Sequence, residues 1–249
     1  MNVALQLYSV RKSLKEDFWG TMRAVRAMGY TGVEGYGMPC TAQEFKAALD
    51  STGLQIVGWH QAIDGLAPDK LPLTVSYHKA IGNACVAVPW IGDDGFSSAD
   101  ACAKTAATLQ DAAERLLPYG ITTGYHNHAQ EYKAKLEGGS GMELVIRDAP
   151  AVFYQLDTGN ALSGGGDIYG CFDRFPGRFE TVHAKPYSKD GSFDTMYGAD
   201  CDAHDWPKLI DLFKTKGGTK TIIIEYEFEG RYGDLQGVEI ALNNLAKYL

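Results

Sequence analysis

KTIIIEYE, residues 220–227, places three isoleucines directly in front of a glutamate. An unbroken β-branched run of this kind is typical of a strand that is buried on both faces, as in a parallel sheet covered by helices. Glu225 therefore ends a buried strand, and a buried carboxylate is costly unless a positive partner lies beside it. The stretch predicts a parallel α/β fold with a charged group at the carboxyl end of one strand.

Seven further strand-like runs precede this one, and helical stripes separate them. The predicted strands cover residues 2–8, 31–37, 54–60, 84–90, 121–126, 152–157, 179–185 and 220–227. The helical stripes have apolar residues three or four positions apart. They are marked by Leu14 to Val25, by 41–53 with a capping box at Thr41 and Glu44, by about 70–82, by 98–119, by about 140–148, by a short helix near 167–174, by Trp206 to Phe213, and by Val238 to Leu245.

The alternation of strands and helices decides the fold class. Strands joined by helices pair in parallel, and eight such units in 249 residues fit a closed (β/α)₈ TIM barrel. The alternative is an open doubly wound sheet, which usually has a glycine-rich phosphate-binding turn after its first strand. LQLYSVRKS (5–13) contains no such turn. No linker divides the chain, so a single domain is expected over residues 1–249.

Composition and charge exclude several classes of function. The formal net charge of -8 is unsuited to phosphate backbones, so no nucleic-acid partner is expected. The first residues lack a signal peptide, and no apolar stretch is long enough to span a membrane. The five cysteines are widely scattered, which indicates reduced thiols in a cytoplasmic protein. A small polar substrate is compatible with this composition, and so is a homo-oligomer.

Polar residues collect at the predicted carboxyl ends of the strands, where a TIM barrel has its active site. The residues concerned are Glu34, His60, His126, His128, Glu131, Asp157, His183, Lys185, Glu225 and Glu227. Alternation along a strand places His183 and Lys185 on one side of strand seven. Carboxylates combined with imidazole, without thiolate, favour Mn²⁺, Mg²⁺ or Co²⁺ over a structural zinc. The sequence therefore predicts a metal site at this end of the barrel.

Several motifs in a fixed order resemble the xylose-isomerase-like TIM barrels, which include sugar isomerases, epimerases and related keto-sugar or inosose enzymes. The resemblance covers essentially the whole chain. The motifs that carry it include LQLYSVR (5–11), MGYTGVEGYG (28–37), YHNHAQEY (125–132), QLDTGNALSGGGD (155–167), VHAK (182–185) and IIIEYE (222–227). Each motif is weak alone, and their combination in this order is specific.

The resemblance implies one divalent ion held by Glu, Asp, His and Glu from strands five to eight. Asp157, His183 and Glu225 match three of these positions. Strand five departs from the pattern, because His126 stands where many sugar epimerases have a glutamate. The fourth ligand is thus His126, His128 or Glu131, and Glu131 is favoured. Mn²⁺ is the favoured ion, with Mg²⁺, Co²⁺ or Zn²⁺ as alternatives.

The resemblance also implies a reaction class. A ketose or keto-sugar chelated by the ion would lose an α-proton and pass through an enediolate, which the ion stabilises. Glu131 and Glu225 are the candidate acid–base residues on opposite faces of the substrate, and Lys185 would neutralise charge. The candidate substrate-binding residues are His60, Trp90, His126, His128 and Asn160.

Three alternatives share this scaffold. The first is a lyase or dehydratase of the inosose dehydratase or keto-glycoside type. The second is an endonuclease IV-like DNA-repair enzyme, which should have more histidines for a three-zinc cluster and a basic face. Six histidines and a net charge of -8 argue against it. The third is a non-catalytic sugar-binding barrel that holds no metal.

Overall fold

The computed structural model describes residues 1–37, 40–227 and 231–249. Eight parallel strands form a closed barrel in the order β1-β8-β7-β6-β5-β4-β3-β2. Strands β1 to β8 span Asn2–Gln6, Gly32–Gly35, Gln55–His60, Cys85–Val88, Thr122–His126, Val152–Asp157, Thr181–Ala184 and Thr221–Ile224. The predicted (β/α)₈ TIM barrel is therefore confirmed.

All eight predicted strands are present, although most are shorter than predicted. The run before Glu225 is a four-residue strand that is buried on both faces, as its isoleucines indicated. The hydrogen-bonded strands often end before the predicted boundary because the next residues already leave the barrel wall, as Pro89 and Trp90 do after β4. The side chains that follow the strands therefore lie on the rim of the barrel.

One irregularity interrupts the pairing of β2 with β3. Val33 pairs with Ile56, whereas Glu34 pairs with Gly58, so β3 has one extra residue at this point. A bulge of this kind bends a strand and re-aims its side chains, and bulges are frequent next to active sites.

Eleven α-helices are present among the described residues. Helices α1 to α11 span Arg11–Glu16, Phe18–Ala27, Ala42–Thr52, Leu71–Ile81, Ala99–Leu116, Gln130–Lys133, Gly141–Asp148, Thr158–Ser163, Cys171–Arg174, Trp206–Leu212 and Asp234–Leu245. Short 3₁₀ segments cover Leu7–Val10, Ile63–Leu66, Asp93–Phe96, Leu117–Tyr119 and Ala246–Tyr248, and a π-helical turn covers Phe213–Gly217. A two-residue hairpin pairs Lys135–Leu136 with Gly139–Ser140.

Two helical predictions need correction. The stripe from Leu14 to Val25 is not one helix, because Asp17 ends α1 and its side chain caps α2 by accepting from the Gly20 amide at 2.8 Å. The predicted helix near 167–174 is reduced to α9, since the Asp167 side chain accepts from the amides of Tyr169 and Gly170 and so favours a turn.

The helices cover the barrel with apolar side chains, and the main core lies between the two layers. The predicted capping box is confirmed at α3, where Thr41 and Glu44 bond reciprocally and Gly53 ends the helix at φ 70°. All five cysteines are unpaired. Among the helices of the described residues, none combines the length and apolarity needed to cross a membrane.

Candidate functional site

Four buried side chains from consecutive strands converge at the carboxyl end of the barrel. His126 ends β5, Asp157 ends β6, His183 lies in β7, and Glu225 follows β8. One potential ligand atom from each lies within 4.8 Å of those of the other three. We call these four residues the metal-ligand cluster. The family resemblance implied Asp157, His183 and Glu225 in such a group, and the structure brings them together.

His183 is held between two carboxylates. Its Nδ1 lies 2.5 Å from Glu225 Oε2, and its Nε2 lies 2.6 Å from Glu34 Oε2. Burial acts to lower the pKa of His183, but the charges of Glu34 and Glu225 outweigh it and raise this pKa to about 10. Without a bound ion, His183 is therefore a cation that neutralises part of the negative charge around it.

Asp157 has two carboxylate oxygens in different environments. Oδ1 caps helix α8 by accepting from the Asn160 amide at 2.7 Å, whereas Oδ2 is buried and has no hydrogen-bond partner among the described residues. Burial raises the pKa of Asp157 to about 7, Lys185 opposes this rise, and nearby Glu225 adds to it. An unpartnered buried oxygen costs about 1–3 kcal/mol, and a cation in the cluster would remove that penalty.

The second unpartnered atom of the cluster belongs to His126. Its Nδ1 is buried without a hydrogen-bond partner among the described residues. Burial keeps the pKa of His126 well below its usual range, and the neighbouring imidazole of His183 lowers it further. A neutral imidazole is the form that binds metal ions. Two imidazoles, two carboxylates and two unpartnered buried atoms therefore fit a divalent cation.

Lys185 lies buried beside the cluster and connects it to the rim. Its Nζ donates to Glu225 Oε1 at 3.1 Å and forms a second ion pair with Glu227. Burial acts to lower the pKa of Lys185, but Glu225 and Asp157 outweigh it and raise the pKa well above its usual value. Lys185 is therefore a permanent cation that partly compensates the cluster carboxylates.

A cavity of about 470 Å³ opens above the cluster. Its polar wall includes the imidazoles of His60, His126 and His128 and the carboxylates of Glu225 and Glu227. Its aromatic wall consists of Tyr8, Tyr36 and Trp59. A cavity with a few convergent polar groups among aromatic surfaces is typical of a small-molecule site, and its volume suits a sugar-sized ligand.

Besides Lys185, three predicted site residues belong neither to the cavity wall nor to the metal-ligand cluster. Glu131 accepts from the hydroxyl of Tyr125 at 2.9 Å and from the His128 amide at 2.9 Å, and it lies outside the metal-ligand cluster. The backbone N–H of Asn160 donates to Asp157 Oδ1 and so orients that carboxylate. Trp90 is 45% exposed and its ring packs edge-on against His128, at 5.5 Å between centroids.

Strand five therefore contributes His126 to the metal-ligand cluster, whereas Glu131 was the favoured ligand. The structure places His126 in the cluster, while the carboxylate of Glu131 sits at the start of the short helix α6 and orders the turn that precedes it. Since Glu131 comes five residues after the end of β5, the chain can turn back before reaching it. Strand alternation could not predict its position.

Three further buried polar residues surround the cluster; Glu34 was expected at this end of the barrel without a specific role, and Gln6 and Gln155 were not predicted there. Glu34 is fully buried and bonds to His183, while the amides of Gln6 and Gln155 donate to it at 2.7 and 2.8 Å. The only sequence signal was a glutamate inside the predicted second strand. A buried glutamate in a strand requires a partner, but nothing in the sequence indicates which one.

The fold and the cluster together define a (β/α)₈ barrel with a candidate divalent-metal site at the carboxyl ends of its strands. The family model described as xylose isomerase-like TIM barrel matches residues 22–248. The chain therefore belongs to the xylose isomerase-like TIM barrel family, as the sequence motifs indicated.

Three solved structures share this fold over nearly the whole length of the chain. A sugar phosphate isomerase/epimerase from Parabacteroides distasonis ATCC 8503 is 21% identical, with a TM-score of 0.81 over 99% of this chain and 94% of that chain. The IOLI protein with a binding zinc atom is 14% identical, with a TM-score of 0.72 over 100% and 99% of the two chains. The probable 3-DHS dehydratase AsbF from Bacillus anthracis is 11% identical, with a TM-score of 0.68 over 98% of each chain. At these identities the likeness establishes the fold. Curated proteins include no significant match to this sequence.

Proposed function

We propose that this protein is a divalent-metal-dependent isomerase or epimerase that acts on a ketose or keto-sugar. The observation that carries the proposal is the metal-ligand cluster, with unpartnered atoms on Asp157 and His126, at the base of a polar and aromatic cavity. The family and the neighbouring sugar phosphate isomerase/epimerase support the same reaction class.

The proposed ligands are His126, Asp157, His183 and Glu225. A bound divalent ion would act as a Lewis acid and stabilise the negative charge that develops on the substrate oxygens. Imidazole nitrogens suit Mn²⁺, Co²⁺ and Zn²⁺ better than Mg²⁺, which prefers oxygen ligands and waters. With two imidazoles in the set, Mn²⁺ remains a suitable ion and Mg²⁺ becomes the least suitable of the four.

Glu225 is the proposed base for the α-proton of the substrate. It lines the cavity, and its pKa is held well below the usual range because Lys185 and His183 outweigh the effect of burial. The carboxylate is therefore ionised and able to accept a proton. Lys185, bonded to both Glu225 and Glu227, limits the build-up of negative charge when the substrate is deprotonated.

His128 is the proposed second acid–base group, in place of Glu131. It lines the same cavity, and burial lowers its pKa to about 4, so that the imidazole is neutral. Its Nδ1 is buried and has no hydrogen-bond partner among the described residues. A neutral imidazole can accept a proton or hold a sugar hydroxyl, and His60 lines the cavity beside it as a further hydroxyl-binding group.

The direct test is a metal-supplemented screen of ketoses, 3-keto-sugars and inososes in deuterated water. Reversible deprotonation at carbon incorporates solvent deuterium, which NMR detects even when little product accumulates. Deuterium incorporation that requires metal supports the proposal. Binding of these sugars without any exchange or product, in the metal-loaded protein, would indicate a sugar-binding barrel instead.

An elimination reaction is the second candidate, and one observation favours it. The cluster contains imidazole rather than a second glutamate on β5, so Glu225 is its only carboxylate at the cavity wall, and an elimination needs one base rather than two. One structural neighbour is named as a probable dehydratase. In the same screen, loss of water or of an aglycone, with a new unsaturated ketone in the NMR spectrum, would identify this reaction.

We expect no measurable affinity for duplex DNA at physiological salt, with or without an abasic site. The net charge of -8 opposes the phosphate backbone, and binding to phosphates requires a basic face. Fluorescence anisotropy with a labelled abasic duplex, in the metal-loaded protein, measures this directly. Micromolar binding, or nicking at the abasic site, would contradict the sugar proposal and favour the DNA-repair alternative.

A further inference from the structure

We propose that Glu34 is a positioning residue of the metal centre, which fixes the orientation and the hydrogen-bearing nitrogen of both His183 and His60. The inference rests on the proposed function, since it concerns how the cluster is prepared for an ion. Glu34 itself lies outside the four ligands. It acts through the two imidazoles, one of which is a ligand and the other part of the cavity wall.

The carboxylate of Glu34 is surrounded by nitrogen donors. Its Oε2 lies 2.6 Å from His183 Nε2, 3.1 Å from His60 Nε2 and 2.7 Å from Gln6 Nε2. Its Oε1 accepts from Gln155 Nε2 at 2.8 Å. A carboxylate only accepts hydrogen bonds, so the Nε2 atoms of both imidazoles must carry hydrogen.

For His183 this arrangement leaves one nitrogen for the cluster. With Nε2 donating to Glu34, Nδ1 is the nitrogen on the Glu225 side, 2.5 Å from its Oε2. A metal-ligating histidine commonly donates its second N–H to a carboxylate, which fixes the ring and increases the basicity of the ligating nitrogen. Glu34 is placed to do this for His183.

His60 is oriented by the same carboxylate. Its Nε2 lies 2.9 Å from Gln155 Oε1 as well as 3.1 Å from Glu34, and its ring stacks on His183 at 5.2 Å between centroids. The hydrogen on Nε2 leaves Nδ1 of His60 as a hydrogen-bond acceptor. Since His60 lines the cavity, it can accept from a sugar hydroxyl while Glu34 holds the metal ligand beside it.

The backbone is shaped to accommodate Glu34. The extra residue in β3 brings Gly58 opposite Glu34, and a Cβ atom at position 58 would lie only 2.7 Å from Glu34 Oε1. A bulge and a glycine at this position make room for a carboxylate that is fully buried. A buried charge is costly, and its four donors show that the surrounding residues are arranged to hold it.

The test compares Zn²⁺ affinity, by competition with a chromophoric chelator, between the parent and Glu34→Gln. The glutamine side chain keeps the shape, but its amide has a single oxygen and cannot accept from all four nitrogen donors. We expect affinity about 10–100-fold weaker, the range for loss of a partner that orients a metal ligand. The visible spectrum of the Co²⁺-loaded protein should also change, because the ligating nitrogen of His183 is no longer held in place.

Asp202→Asn is the matched control. Asp202 is a buried carboxylate that accepts from His204 Nδ1 at 2.8 Å, away from the metal-ligand cluster. This control should lose thermal stability yet keep the Zn²⁺ affinity and the Co²⁺ spectrum of the parent. Glu34→Asp provides a second variant if Glu34→Gln does not fold, because it keeps the charge but withdraws the carboxylate from the imidazoles.

The outcomes separate the two proposals. A parent protein that binds no divalent ion overturns the proposed function and this inference together. A parent that binds Zn²⁺, with a folded Glu34 variant that binds it as tightly and with an unchanged Co²⁺ spectrum, overturns the role of Glu34 alone. Weaker binding in the Glu34 variants, with unchanged binding in Asp202→Asn, supports it.

Discussion

Glu225→Gln should lower turnover by at least roughly 10²-fold, the scale expected when a well-placed acid–base or electrostatic group is lost. Glu225 is both a proposed metal ligand and the proposed base at the cavity wall. Replacing its carboxylate with an amide keeps the shape and removes the charge. The variant should therefore bind the ion more weakly and accept the substrate proton poorly.

The stability of the metal-free protein should also fall in Glu225→Gln. Lys185 Nζ and His183 Nδ1 both bond to Glu225, and weakening a buried charged hydrogen bond costs about 1–3 kcal/mol. A purely structural Glu225 predicts this loss as well, so stability alone does not separate the roles. The rise in melting temperature on adding Mn²⁺ distinguishes a metal ligand from a structural residue, because this rise follows metal affinity.

Glu227→Gln is the matched control for this readout. It removes a carboxylate from the same ammonium, that of Lys185, but Glu227 lies outside the metal-ligand cluster. We expect the parent and Glu227→Gln to gain melting temperature with Mn²⁺, and Glu225→Gln to gain much less. An unchanged Mn²⁺ response in Glu225→Gln would assign Glu225 a structural role.

His126→Ala should weaken metal binding by at least about 100-fold, the upper end of the losses seen when only a supporting partner of a ligand is removed. The structure places His126, rather than Glu131, in the metal-ligand cluster. Glu131→Gln should keep the metal affinity of the parent. We expect Glu131→Gln instead to have a lower free energy of unfolding, because the Tyr125 hydroxyl and the His128 backbone amide lose a charged acceptor.

Metal titrations of both variants measure this difference directly. Strong binding in His126→Ala together with weak binding in Glu131→Gln would assign the strand-five ligand to Glu131, as the sequence pattern favoured. The comparison also bears on the reaction, because it decides whether strand five contributes a neutral imidazole or a charged carboxylate to the site.

Most of the fold could be predicted because its signals are local. A run such as the three isoleucines before Glu225 indicates a buried strand without knowledge of its neighbours, and Thr41 with Glu44 indicates where a helix begins. The break between α1 and α2 was missed because the apolar stripe continues through it. The extended backbone of Asp17, and the bond that its side chain accepts from the Gly20 amide, separate the two helices.

The site was predictable where its residues lie within or directly next to strands. Asp157, His183 and Glu225 meet because parallel strands end at the same rim. Glu131 lies beyond the strand, where the turn decides its direction, so its position could not be predicted. Glu34 contacts His183 although β2 and β7 are not neighbours in the barrel, and no local pattern reports a contact of this kind.

Titration of the metal-free protein with Mn²⁺, in parallel with Asp157→Asn, tests whether this cluster is a metal centre. In that variant Oδ1 can still cap α8 by accepting from Asn160, while the unpartnered Oδ2 is replaced by an amide nitrogen that cannot bind a cation. Asp205→Asn is the control, since Asp205 caps α10 from outside the metal-ligand cluster.

We predict about one equivalent of Mn²⁺ per chain in the parent and in Asp205→Asn, as a single catalytic ion requires, and much weaker binding in Asp157→Asn. Stoichiometric binding of equal affinity in Asp157→Asn, or no binding in the parent, would contradict the assignment of this cluster as a metal centre.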